Sequence, residues 1–169
     1  IKDIITRHAQ KYSDSLKTLP INQYLLDSKQ LSMYSILEKA LILKSIDLFE
    51  SIPSEELIRV AQIAEEEQFE KVTPLFEEGD FGDSMYIVAN GKVRVHKGER
   101  TIVELEKGAC VGEMALLDQE PRSADVTVNA DTTLLKITQD GFYELMSSTM
   151  EIMQRIVKLI TTRLRKATN

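Results

Sequence analysis

Apolar residues at the start of the chain recur at steps of three and four. Ile1, Ile4, Ile5, His8, Tyr12 and Leu16 share one helical face. Pro20 interrupts that period. A second helical stretch begins near Ser32, with Tyr34, Leu37, Leu41 and Leu43 among its apolar positions. After Pro53 the pattern predicts a short third helix, capped by Ser54. Glu55 and Glu56 then sit at its positive end, and Leu57, Val60, Ala61 and Ala64 form its apolar face. The run Glu65-Glu66-Glu67 reads as the solvated end of that helix.

The period changes near Gln68. From there to Thr138 short apolar runs alternate with turn residues, which predicts strands. Phe69, Val72, Leu75 and Phe76 precede the turn Glu78-Gly79-Asp80-Phe81-Gly82-Asp83. Residues 85–88 are continuously apolar, as in a strand buried on both faces. Beyond the Gly91 turn, Val93 and Val95 alternate with Lys92, Arg94 and His96 in the period-two pattern of a half-buried strand. Ile102, Val103 and Leu105 form another strand. Val126 and Val128 alternate with Asp125 and Thr127, and Leu135 and Ile137 with Leu134 and Lys136. After Asp140 the helical period returns. Phe142, Tyr143 and Leu145 mark a short helix, and Thr149 is placed to cap a final one striped by Met153, Ile156, Val157, Ile160 and Leu164.

About eight strands at close spacing predict an α+β fold built on an eight-stranded antiparallel β roll, jelly-roll-like, with helices before and after it. The expected divisions are a helical segment at 1–47, the roll at 48–148 and a C-terminal helix at 149–169. The chain has 169 residues, enough for one domain with appendages. It opens on Ile1 rather than Met, which suggests a segment of a longer protein.

Composition narrows the function. The net charge is −6, so a polyanion such as DNA is repelled overall, and no nucleic-acid partner is expected within this segment. An anion must instead be held by a small preorganised pocket. The apolar runs are too short for a membrane span. The single cysteine, Cys110, excludes an internal disulfide and reads as a small buried hydrophobe at a strand end. His8 and His96 lack metal-ligand spacing and read as surface residues, so no metal is expected. Neither a metal cluster nor a nucleophile–base pair is evident, so no enzymatic role is expected.

Residues 108–124, Gly-Ala-Cys-Val-Gly-Glu-Met-Ala-Leu-Leu-Asp-Gln-Glu-Pro-Arg-Ser-Ala, carry the candidate chemistry. Gly112 permits close backbone approach after a strand, and Glu113 to Leu117 can make one helical turn whose free N–H groups attract an anion. Arg122, set by Pro121, suits two-pronged contact with phosphate oxygens. Glu113 beside an anion makes sense as an acceptor for sugar hydroxyls. A simpler reading pairs Glu113 with Arg122 as an ion pair bracing a loop.

The string G-E-M-A-L-L, a short gap, then P-R-S-A resembles the phosphate-binding cassette of cyclic nucleotide-binding domains. The upstream E-G-D-F-G-D-S-M-Y-I-V-A-N-G-K-V-R-V is similar to that family's glycine-punctuated first strands. The resemblance spans about residues 48–165. Bacterial regulators of the catabolite activator type and kinase regulatory subunits share this module, and the parent is expected to be a larger bacterial protein.

The resemblance implies a regulatory module that binds a cyclic nucleotide and relays binding through its flanking helices to an output domain. It implies that Gly112 and the amides of Met114 and Ala115 line the phosphate–ribose site, and that Glu113 receives the ribose 2′-hydroxyl. Arg122 would pair with the cyclic phosphate, with further contacts from Ser123 and the amide of Ala124. The final helix would be the lid over the base. Val111 stands where the family usually has Phe. Ser123 occupies the position that helps separate adenine from guanine ligands, and cyclic AMP is favoured over cyclic GMP. No cofactor beyond that ligand is implied. A homodimer through the C-terminal helix, and a location in the cytoplasm or on the cytoplasmic face of a membrane-associated parent, are further expectations. The alternative is a degenerate domain of the same fold that binds no ligand and serves interaction or dimerisation.

Overall fold

In the computed structural model, residues 33–118 and 120–167 are described. The helical pattern expected over residues 1–32, His8 included, lies outside them. The described residues from Tyr34 onward form one compact unit.

Three helices lead in. They are α1 (Ile36–Lys44), α2 (Asp47–Glu50) and α3 (Ser54–Ile63). A capping box starts α1: the Ser35 hydroxyl accepts from the Glu38 amide, and the Glu38 carboxylate accepts from the Ser35 amide at 2.8 Å. The buried face of α1 is Ala40, Ile42 and Leu43, whereas Leu37 and Leu41, two of its apolar positions, are exposed. The helix starts at Ile36 rather than near Ser32. Pro53 occupies the cap position of α3, so Ser54 is the first helical residue rather than the cap. Leu57, Val60, Ala61 and Ala64 are buried as expected.

Eight strands follow: β1 (Glu65–Phe69), β2 (Pro74–Phe76), β3 (Ser84–Asn90), β4 (Lys92–Lys97), β5 (Arg100–Glu106), β6 (Cys110–Val111), β7 (Asp125–Val128) and β8 (Thr132–Thr138). They form two four-stranded antiparallel sheets, ordered β1-β8-β3-β6 and β2-β7-β4-β5. The glutamate run is thus β1, not a helix end. Glu66 turns inward, where its carboxylate accepts from the Tyr34 amide at 3.2 Å, and Glu67 pairs with Lys136 at 3.3 Å. Val72 lies in the turn after β1, exposed and with φ of +69°.

Two helices close the chain, α4 (Gln139–Ser148) and α5 (Met150–Ala167). The Thr138 hydroxyl caps α4 through the Gly141 amide. The Thr149 hydroxyl accepts from Arg59 at 2.7 Å. Among the described residues no helix is long and apolar enough to cross a membrane.

Alternation on the central strands explains the layering. On β3 and β8, Met85, Ile87, Ala89, Leu135 and Ile137 face the helices, where they meet Leu43, Phe49, Val60, Phe142, Ile152 and Ile156. Val88 and Leu134 point the other way, into a second core with Val93, Val111, Val126 and Val128 between the sheets. Period-two chain covered on both sides needs apolar residues at every position, as residues 85–88 have. Phe49 and Phe142 meet edge-on, with centroids 6.1 Å apart.

Candidate functional site

The site forms where short β6 runs out. Val111 and Cys110 pair with Tyr86 and Ile87 of β3. Gly112 then takes φ of +73°, and a β-carbon there would stand 2.2 Å from Arg122 Nη1 and 3.1 Å from the Ser84 carbonyl. Only glycine satisfies both the left-handed backbone and the close approach. The chain reverses into one 3-10 turn, Glu113–Leu116. Ala115 and Leu116 anchor this turn by burial, and Gln139, buried at the start of α4, donates to the Ala115 carbonyl at 3.0 Å.

Arg122 is brought to the same place by a zipped loop. Its amide donates to Asp80 O and its carbonyl accepts from the Gly79 amide, both at 2.8 Å, and Phe81 bridges Pro121. The residue is only 8% exposed. Nη2 donates to the Ser84 carbonyl at 2.7 Å, Nη1 reaches the Gly112 carbonyl at 3.4 Å, and the guanidinium lies 4.1 Å from the Phe76 ring centroid. Nε is buried and has no hydrogen-bond partner. Arg122 takes part in none of the ion pairs among the described residues, so the bracing Glu113–Arg122 pair is not formed. Burial pushes the guanidinium below its ordinary pKa, with Tyr86, Asp83 and Asp80 acting in the opposite sense. Arginine stays charged even so. A buried cation with spare donor capacity favours an anion.

These elements surround a cavity of about 420 Å³, within the range of small-molecule sites. All seven candidates line it: Gly112, Glu113, Met114, Ala115, Arg122, Ser123 and Ala124. Phe76, Val95, Leu105, Val111 and Val126 give it an apolar wall, and Asp118 and Glu120 also line it. No described residue of α5 does. That helix instead packs Ile152 and Ile156 into the helical core, and Arg155 donates to the Ser51 carbonyl. Met153, Val157 and Ile160 of the expected stripe are exposed.

Several partners escaped the sequence. Gly82 is the other half of the arginine slot, since a β-carbon there would stand 2.3 Å from Arg122 Cζ. The repeated Gly-Asp of the upstream turn was its signal. Phe76 and the Ser84 carbonyl left none, because their contact with Arg122 is long-range. Cys110 is half-buried rather than inert packing, and its thiol donates to Glu113 Oε2 at 3.3 Å. His96 is likewise tucked in, bonded to the Gly98 carbonyl and the Thr127 hydroxyl at 2.8 and 2.9 Å.

Residues 66–149 match the model of the cyclic nucleotide-binding domain. A solved cyclic nucleotide-binding-like protein from Brucella abortus is 31% identical; the alignment covers 65% of this chain and 98% of that one, with a TM-score of 0.60. The chain belongs to the cyclic nucleotide-binding domain family. This is a family of binding domains, not catalytic ones. The N-terminal domain of a transcriptional regulator from Streptomyces coelicolor aligns with a TM-score of 0.72 at 26% identity, over 75% of this chain and 92% of that domain. The cyclic AMP receptor protein of Thermus thermophilus is 33% identical over 130 residues, which is 74% of this chain and 60% of that protein.

Proposed function

We propose that this cavity binds a cyclic nucleotide, with cyclic AMP preferred over cyclic GMP, and that binding is relayed through the flanking helices to an output domain. The observation that carries the reading is Arg122: a residue 8% exposed, its guanidinium held between two glycines, with a buried Nε lacking a partner. A cyclic phosphate is a compact monoanion that supplies the missing acceptor. On a chain of net charge −6 with Asp118 and Glu120 beside the cavity, such an anion needs that specific contact rather than a diffuse field.

The remaining roles follow from position. Gly112 and the amides of Met114 and Ala115 line the phosphate–ribose side, and Ser123 and the Ala124 amide add phosphate contacts. Glu113 accepts from the ribose 2′-hydroxyl. The apolar wall of Val95, Leu105 and Val126 takes the base. Helix α5 acts as the lid, its exposed Met153, Val157 and Ile160 closing on the base or pairing with a second copy. Ligand shifts the helix only by its differential affinity for the closed state.

Calorimetry with cyclic AMP and cyclic GMP tests this. Binding of cyclic AMP tighter than cyclic GMP is expected, and Arg122→Ala is expected to weaken it by about 1.5–3 kcal/mol, the worth of a charge-assisted contact. No heat with either nucleotide, or an unaltered affinity in the variant, overturns the reading.

A further inference from the structure

Resting on the cyclic-nucleotide reading of this cavity, we propose that Cys110 is the positioning residue for Glu113 and so sets the discrimination for the ribose 2′-hydroxyl. Cys110 opens the edge strand β6, opposite Ile87 of β3. The left-handed Gly112 between them folds Glu113 back toward that strand. The result is a contact between residues three apart, with the Cys110 thiol donating to Glu113 Oε2 at 3.3 Å. Both side chains line the cavity that holds Arg122, whose buried Nε awaits an acceptor. The thiol therefore sits on the wall of a site that an independent feature marks for a ligand.

The chemistry of the pair is directional. A thiol is a weak donor, so its effect is on the orientation of the carboxylate more than on stability. Fixing one carboxylate oxygen at β6 holds the plane of Glu113 as the sugar enters, which lowers the ordering cost of the ribose contact. The contact also makes the ribose side of the cavity sensitive to modification of this thiol, because any added group occupies the space Glu113 faces.

Two measurements test the proposal, and they fail separately. The first is the ratio of affinities for cyclic AMP and its 2′-deoxy analogue. Cys110→Ala is expected to shrink that ratio about threefold to tenfold, the range of one hydrogen bond from a weak donor, and Cys110→Ser, which keeps a donor, to restore most of it. An unchanged ratio in Cys110→Ala overturns the positioning role, as does an equal loss in Cys110→Ser. If the unaltered protein binds neither nucleotide, the ribose role falls together with the proposed function. The second needs no nucleotide. The sequence contains one cysteine, so iodoacetamide labelling reports Cys110 alone. Glu113→Ala, which takes away the acceptor of the thiol, is expected to raise the labelling rate at fixed neutral pH several-fold. An equal rate in the variant and the unaltered protein refutes the pairing whatever the site binds.

Discussion

Replacing Gly82 by alanine is a sharp test of the arginine slot. The backbone at Gly82 lies outside the left-handed region, so an alanine is tolerated conformationally. The new methyl, however, would stand 2.3 Å from both Cζ and Nε of Arg122 and 2.6 Å from Nη2. Ordinary contact starts at 3.4 Å, so the guanidinium must retreat by at least about 1.1 Å. That retreat is incompatible with the 2.7 Å bond from Nη2 to the Ser84 carbonyl. A phosphate contact aligned on the same group loses its geometry, at a cost of about 1.5–3 kcal/mol for a charge-assisted bond, or roughly 10- to 150-fold in Kd. The clash falls on the far end of a side chain rather than on backbone, so overall stability is expected to fall by less than the roughly 1–3 kcal/mol of an overpacked core. Calorimetry with cyclic AMP gives the first number, and thermal melts without and with ligand give the second. Unaltered affinity in Gly82→Ala refutes the assignment of Arg122, as held in this slot, to the phosphate.

Glu113→Gln is expected to lower affinity for cyclic AMP while leaving the 2′-deoxy analogue nearly unaffected; an equal loss for both would remove Glu113 from the ribose contact. Serine at Val157 and Ile160 changes the exposed stripe of α5 but leaves the buried Ile152 and Ile156 in place, and the ratio of cyclic AMP to cyclic GMP affinity is expected to narrow. A ratio equal to that of the unaltered protein removes the lid role. The Asp125 carboxyl is held below its ordinary pKa by the Glu78 amide first and the Gly98 amide second. A lowered carboxylate pKa contributes stability above the unfolded value, and that contribution is lost as pH falls through the folded one. Acid titration of Asp125→Asn, followed by circular dichroism, is therefore expected to show less loss of stability below about pH 4 than the unaltered protein.

Much of the architecture was legible because its signals are local. The alternation in residues 92–95 and 125–128, the apolar run at 85–88 and the turn at Gly91 each depend on neighbours a few residues away. The cassette was legible for a related reason, since Gly112 and Glu113 sit on one turn and Arg122 ten residues on, and all line one cavity. The glutamate run defeated that reading. Glu65, Glu66 and Glu67 are poor strand formers, yet pairing with Lys136, Leu135 and Leu134 of β8 overrides their propensity.

By itself, then, the chain's order of residues determined where strands and helices alternate, which glycines turn, and which short stretch carries the candidate arginine. Tertiary structure alone decided what that arginine still lacks. Ser84, Gly82 and Phe76 approach Arg122 from 38 to 46 positions away in the chain and leave Nε buried without a partner. The physical reason is range. Backbone conformation answers to adjacent side chains, but burial and hydrogen-bond satisfaction are properties of a closed surface, defined only once distant strands have met.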